Sequence, residues 1–194
     1  MPLSAPVAAG CVGAPSSSRP ASSKQVVYAG SSSGSPAFHS PAKDKDAVVA
    51  AAGRWCDIVT INWYGDWWPE TGRLNRFETK GNKPFLITEF YVKAIEDCDL
   101  PSTSGAGWVV PTQKERAYFF QNFALGLLES KYSVGWTWFK YQDDDGNDNE
   151  GKPANKGLYD NNYNMYPILG KFMQMFNYNV YDLIRYFDGE LDKK

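Results

Sequence analysis

The chain has 194 residues, a formal net charge of −2 and an aromatic share of 15%, with seven Trp and twelve Tyr. That length suits one ordinary domain with a real core and is too short for a complete eight-fold βα barrel, which takes ~250 residues. The balanced charge excludes a partner such as nucleic acid, and no apolar run approaches the ~18 residues of a membrane span.

Residues 1–43 are dominated by Ser, Ala, Gly and Pro and hold no acidic residue. Such a segment buries too little apolar surface to offset its ordering entropy, so it reads as a low-complexity, disordered tail. The run Leu3 to Cys11 faintly resembles a signal peptide or lipoprotein cleavage site, but it lacks a basic n-region and Pro6 interrupts its apolar part. His39, the only histidine, lies in this stretch, so a Ser-His-Asp triad is not expected. Cys11, Cys56 and Cys98 form no CxxC and no Cys/His cluster, so neither a zinc site, nor a disulfide framework, nor any cofactor is indicated.

From residue 44 the pattern becomes regular. Val48, Val49 and Ala52 recur at helical spacing after an acidic start, with Gly53 as a stop. Cys56 to Tyr64 is β-branched and aromatic, a strand. Residues 65–83 form a loop or a short helix, with the stretch near Arg73–Thr79 as the candidate. Pro84 to Tyr91 is a second strand, followed by a long loop. Thr112 to Lys131 is the strongest helix: Thr112 and Glu115 make a capping box, and Ala117, Phe120, Ala124, Leu127 and Leu128 form an apolar stripe. Ser133 to Tyr141 is a third strand. A closing helix spans about Tyr166–Asn177, with another helical turn at Val180–Phe187. Met165, Met173 and Met175 read as its core. Strands alternating with helices mean βαβ units and a parallel sheet, hence an α/β fold.

Side chains that alternate along these strands suggest a site at their C-terminal ends. Asn62 and Tyr64 would share one face of the first strand, Ile87 and Glu89 one of the second, and Trp136, Trp138 and Lys140 one of the third. Together they would supply a carboxylate, a phenol, an amide and two indoles, which is a plausible sugar subsite. Retaining glycoside cleavage needs two carboxyl groups about 5–5.5 Å apart, and Glu89 could be one; a Glu there could equally be solvated or paired with Lys93. Trp67, Trp68 and Trp108 stand in the loops as further sugar platforms or as packing under their own loops. Asn161, Asn162 and Tyr163 are candidates for lining the mouth. The run Gln142 to Gly151 invites calcium, but counted from Asp143 its sixth position is Asp148 where a calcium loop needs Gly, so it reads as a solvated loop over the cleft, with no metal site.

"KPFLITEFY" followed by "VGWTWFKYQD" resembles the last strands of clan A retaining glycoside hydrolases, and within them most closely the β-agarase-type enzymes, which hydrolyse β-linked galactans. The resemblance implies a partial (β/α)8 barrel, its last three βα units, over residues 44–194. It implies Glu89 as nucleophile, Tyr64 as the hydroxyl that orients it, Trp138 as floor of the reacting-sugar subsite, and a polysaccharide or oligosaccharide as substrate; the strand faces and loops add Asn62, Trp136, Trp67 and Trp108 as candidates to bind it. The complete enzyme would be secreted or periplasmic. The family's acid/base is a Glu after an Asn on the fourth strand, and no Asn-Glu pair precedes Asp57. Asn149–Glu150 comes after the third strand, in the wrong order. A truncated gene product, a partial gene model or a frameshift near residue 30 would account for this, and the isolated chain is expected to be inactive. The rival readings are a non-catalytic carbohydrate-binding remnant and a non-functional fragment.

Overall fold

The computed structural model describes residues 45–96, 100, 105–147 and 153–191. The expectations for residues 1–43, for His39 and for Asn149–Glu150 therefore lie outside the described residues, as does part of the loop at 102–107. The element order is α1 (Asp46–Trp55), β1 (Val59–Asn62), α2 (Thr71–Arg76) running into a π-helical turn (Phe77–Gly81), β2 (Phe85–Phe90), β3 (Lys93–Ala94), β4 (Val109–Val110), α3 (Gln113–Leu128), β5 (Ser133–Trp138) and α4 (Pro167–Phe187). The expected α/β class and parallel sheet are present: β1, β2 and β5 lie side by side with β2 in the middle, each pair parallel. The short pair β3–β4, also parallel, was not legible in the sequence.

Helix boundaries follow local chemistry. Glu70 caps α2 by accepting from the Gly72 and Arg73 backbone N–H groups, and Asn82 ends the π turn in the left-handed conformation that Asn tolerates. Thr112 and Glu115 form the expected capping box at the start of α3. Two expectations change. Gly53 does not stop α1, which runs on to Trp55. Its absent side chain instead lets α1 meet the π turn: a Cβ there would lie 1.8 Å from the Gly81 carbonyl oxygen. The closing helix is also continuous over Pro167–Phe187, with Leu169, Met173, Phe176 and Val180 buried on one stripe. Met175 sits off that stripe and is exposed, and Met165 precedes the helix with its sulfur against Gly170, so only Met173 belongs to the core as expected.

The core lies between one face of the sheet and helices α3 and α4. Val59, Ile61, Phe85, Ile87, Phe90 and Trp136 meet Phe119, Phe120, Phe123, Leu127, Leu169 and Phe176. Phe90 stacks on Phe123 at 4.6 Å, and Trp136 meets Phe176 edge-on at 5.8 Å. Among the described residues, no helix is long and apolar enough to cross a membrane.

Gly53→Ala is expected to destabilise the chain by ~1–3 kcal/mol through overpacking against the π turn, read as a lower denaturation midpoint with an unchanged m-value. Gly65→Ala would crowd nothing within 4 Å but would strain the backbone, since Gly65 has φ +93°.

Candidate functional site at the strand ends

The central strand departs from simple alternation where it matters. Phe85 and Ile87 face the core, and so does Phe90, three residues later. Strict alternation would turn Phe90 outward. The register explains the difference: Ile61 and Asn62 on β1 pair with Ile87 and Glu89, and Trp136 and Trp138 on β5 pair with Ile87 and Phe90. Against both neighbours β2 carries one extra residue, a bulge at Thr88–Glu89. Thr88 and Glu89 are consequently both half-buried, away from the fully buried row. The expectation that Glu89 shares a face with Ile87 is corrected by this bulge, since Ile87 is wholly buried in the core.

Glu89 is held by its neighbours. Tyr64, two residues beyond β1, donates its hydroxyl to Glu89 Oε2 at 3.1 Å. Asn62 Oδ1 accepts from Thr88 Oγ1 at 2.7 Å, and Thr137 Oγ1 donates to the Thr88 carbonyl. Three strands thus converge on the bulge with hydroxyl and amide groups. Lys93 is buried, and its ammonium reaches toward the Gly105 carbonyl oxygen at 3.5 Å.

The tryptophans divide. Trp136 is 2% exposed and packed on α4, so its expected place at a substrate is corrected: the residue paired with Ile87 must face the helices. Trp138, paired with Phe90, is half-buried; its ring meets Phe90 edge-on at 5.5 Å, its indole N–H donates to the Lys156 carbonyl oxygen at 2.8 Å, and the Arg116 guanidinium lies 5.4 Å from its centre. Trp67 and Trp108, from different loops, stack at 6.1 Å with 12° between planes, and Trp108 keeps 43% of its surface exposed. Trp68 is exposed as well. Trp63, which had no assigned role, is fully buried, donates to Asp66 at 2.6 Å and lies under the Arg73 guanidinium, itself paired with Asp66. It anchors the loop that carries Tyr64.

Within the Asp-rich stretch Asp145 and Asn147 are exposed, as a solvated loop would have them, whereas Asp143 and Asp144 are buried. Asp143 is buried and accepts from the Gly157 backbone N–H, the Asn155 amide and the Tyr166 hydroxyl. Asn155 in turn accepts from the Ala94 backbone N–H. Asp144 is buried between Lys156, at 2.6 Å, and Lys140. The oxygens of both carboxylates are committed to protein donors. Among the described residues no group of three or more potential metal ligands comes together. Arg116, fully buried on α3, donates to the Val92 and Gly157 carbonyl oxygens, tying the loops after β2 and β5 to one helix. Asn161 accepts from the Gln142 amide, the Asn162 backbone N–H donates to Asp160, and Tyr163 is exposed with a positive φ. Hydrogen bonds, first from the Asn164 side chain, hold the Asp160 carboxyl below the usual Asp range. That turn is favoured above the ordinary Asp pKa and loosens as pH falls through the lowered value.

Tyr91, Asp143, Asn155, Lys156 and Arg116 were not legible as site residues, because isolated polar residues in loops and on an amphipathic helix carry the same pattern as solvated ones.

The chain is a parallel α/β segment with a half-buried carboxylate near the end of its central strand. Among solved structures it is similar to the crystal structure of BpGH50, with 45% identity, a TM-score of 0.69, and coverage of 75% of this chain and 30% of that one. It also shares its fold with an agarase, AgWH50C, at 23% identity and TM-score 0.64, and with an exo-beta-agarase at 24% and 0.63. The resemblance to agarase-type glycoside hydrolases read from the strand motifs therefore stands, and it is to a part of such proteins: the chain spans less than a third of the length of BpGH50 and about a fifth of AgWH50C. No protein-family model matches the chain, and no curated protein matches it significantly.

Asp143→Ala removes the acceptor for three donors and is expected to cost ~1–3 kcal/mol or more in stability, visible in denaturant unfolding and in faster amide exchange at Gly157.

Proposed function

We propose that the chain forms the last three βα units of a (β/α)8 barrel, over residues 44–194, in a retaining glycoside hydrolase acting on a β-linked galactan such as agar. The observation that carries this reading is the Tyr64 hydroxyl on Glu89 Oε2 at the ends of adjacent parallel strands, in a chain 45% identical to BpGH50 over the aligned part. A donor on the carboxylate favours its charged form and fixes its orientation for attack on an anomeric carbon. Attack expels the leaving group with its electron pair, and a second carboxyl group protonates that oxygen before activating water to release the sugar. The second group belongs to the part of the relatives that this chain does not span. Trp67 and Trp108 offer aromatic faces to sugar C–H surfaces, Asn62 an amide beside the carboxylate, and Trp138 the part of its ring that packing leaves uncovered.

The 194-residue chain alone is expected to leave agarose and aryl β-galactosides intact, since loss of general-acid help alone costs ~10²–10⁴-fold. Turnover that disappears in Glu89→Gln would overturn this. When the missing barrel portion is supplied, Glu89→Gln should abolish hydrolysis. Tyr64→Phe should then lower kcat/KM by about 10- to 100-fold, the size of one hydrogen bond to a charged group.

Trp108, which stacks on the partly buried Trp67 and keeps 43% of its surface exposed, favours a second reading, a carbohydrate-binding surface without catalysis. Agarose retention that survives Glu89→Ala but is lost in Trp108→Ala would support it; hydrolysis in the complemented barrel dependent on Glu89 would exclude it.

A further inference from the structure

The ring of Tyr91 is 3% exposed and stands where the loops after all three parallel strands meet. On one side the Tyr64 ring meets it edge-to-face, at 5.3 Å and 80°. On another lies Phe139, just past β5, at 5.7 Å. Over the ring sits the Lys156 ammonium, 5.7 Å from its centre, itself buried and ion-paired with Asp144. The loop before β4 closes the remaining side with two glycines. A Cβ on Gly105 would fall 2.1 Å from the Tyr91 hydroxyl oxygen, and one on Gly107 would fall 2.6 Å from the ring. Gly105 also has φ +80°, a conformation that glycine adopts without strain. A ring so enclosed has one position available, and its neighbour Tyr64 holds the hydrogen bond to Glu89.

We propose that Tyr91 is a positioning residue, which fixes Tyr64 by an edge-to-face contact so that the Tyr64 hydroxyl stays on Glu89. The inference rests on the role proposed above for the Tyr64–Glu89 pair. The flat ring is the part that matters. An aromatic face accepts the positive edge of another ring, whereas an aliphatic side chain of similar bulk offers no such preference. The Lys156 ammonium adds a cation over the same ring, and Asp144 offsets its charge. Without the ring, Tyr64 gains rotamers that take its hydroxyl off the carboxylate, and Glu89 loses a donor that stabilises its charged form.

The test is the titration of Glu89 in the full 194-residue chain, followed by carbon NMR of labelled glutamate side chains, with Glu89→Gln identifying the resonance. Tyr91→Leu is expected to raise the Glu89 midpoint by ~1 pH unit, about as far as Tyr64→Phe does. Tyr91→Phe, which keeps the ring, should leave the midpoint at its wild-type value. If Tyr64→Phe raises the midpoint and folded Tyr91→Leu does not, the positioning role is wrong while the Tyr64–Glu89 pairing stands. If Tyr64→Phe leaves it unmoved, the pairing itself fails, and this inference with it. Should Tyr91→Leu not fold, wild-type contacts between the Tyr64 and Tyr91 ring protons decide: cross-peaks between them support the proposal, and their absence overturns it.

Discussion

One extra residue in β2 is the constraint on which the rest depends. A strand buried on one face has a fixed alternation, and a carboxylate placed in that alternation would have to enter an aromatic core or displace a core residue from it. The bulge at Thr88–Glu89 removes the conflict. Phe85, Ile87 and Phe90 stay on the row that packs against α3, while Glu89 turns out between them. The cost is a locally broken ladder, and neighbouring groups make it good: Thr137 donates to the Thr88 carbonyl, and the Thr88 hydroxyl donates to Asn62. Polar residues at the strand ends thus serve both the backbone of the bulge and the surroundings of the carboxylate.

The sequence made the parallel order legible because βαβ alternation is a property of long periodic segments. The capping box of α3 and its apolar stripe were also readable, since each depends on residues within a turn or two of one another. The Tyr64–Glu89 proximity could be anticipated because parallel strands bring their C-terminal ends together, and the family resemblance gave the pair its roles. The bulge was invisible. Nothing in "LITEFY" distinguishes a regular strand from one with an added residue, since the difference lies in the register of the two neighbours. The extra residue is why Glu89 leaves the row of Ile87, and Trp136, paired with Ile87, is found in the core with it.

The long loop after β5 shows the same limit in another form. An Asp/Asn/Gly-rich segment is solvated in most settings, and composition alone favours that reading. Here Asp143 and Asp144 are buried because their partners arrive from elsewhere: Asn155, Gly157 and Tyr166 for one, Lys140 and Lys156 for the other. Burying carboxylates is tolerable only when the neutralising donors are buried with them. The loop after β1 follows the same rule on a smaller scale, with Asp66 between the Trp63 indole and Arg73.

Arg116 bears on how such a site can change over time. Its guanidinium grips the carbonyl oxygens of Val92 and Gly157, with a longer bond to the Gln113 amide oxygen on its own helix. Because it reaches each loop through a main-chain oxygen, the latch does not record which residue carries that oxygen, so the two loops can exchange many of their exposed residues while the clasp stays shut. Variation in what the loops present to a ligand is thereby uncoupled from whether they stay in place, and a single arginine on the scaffold helix underwrites both.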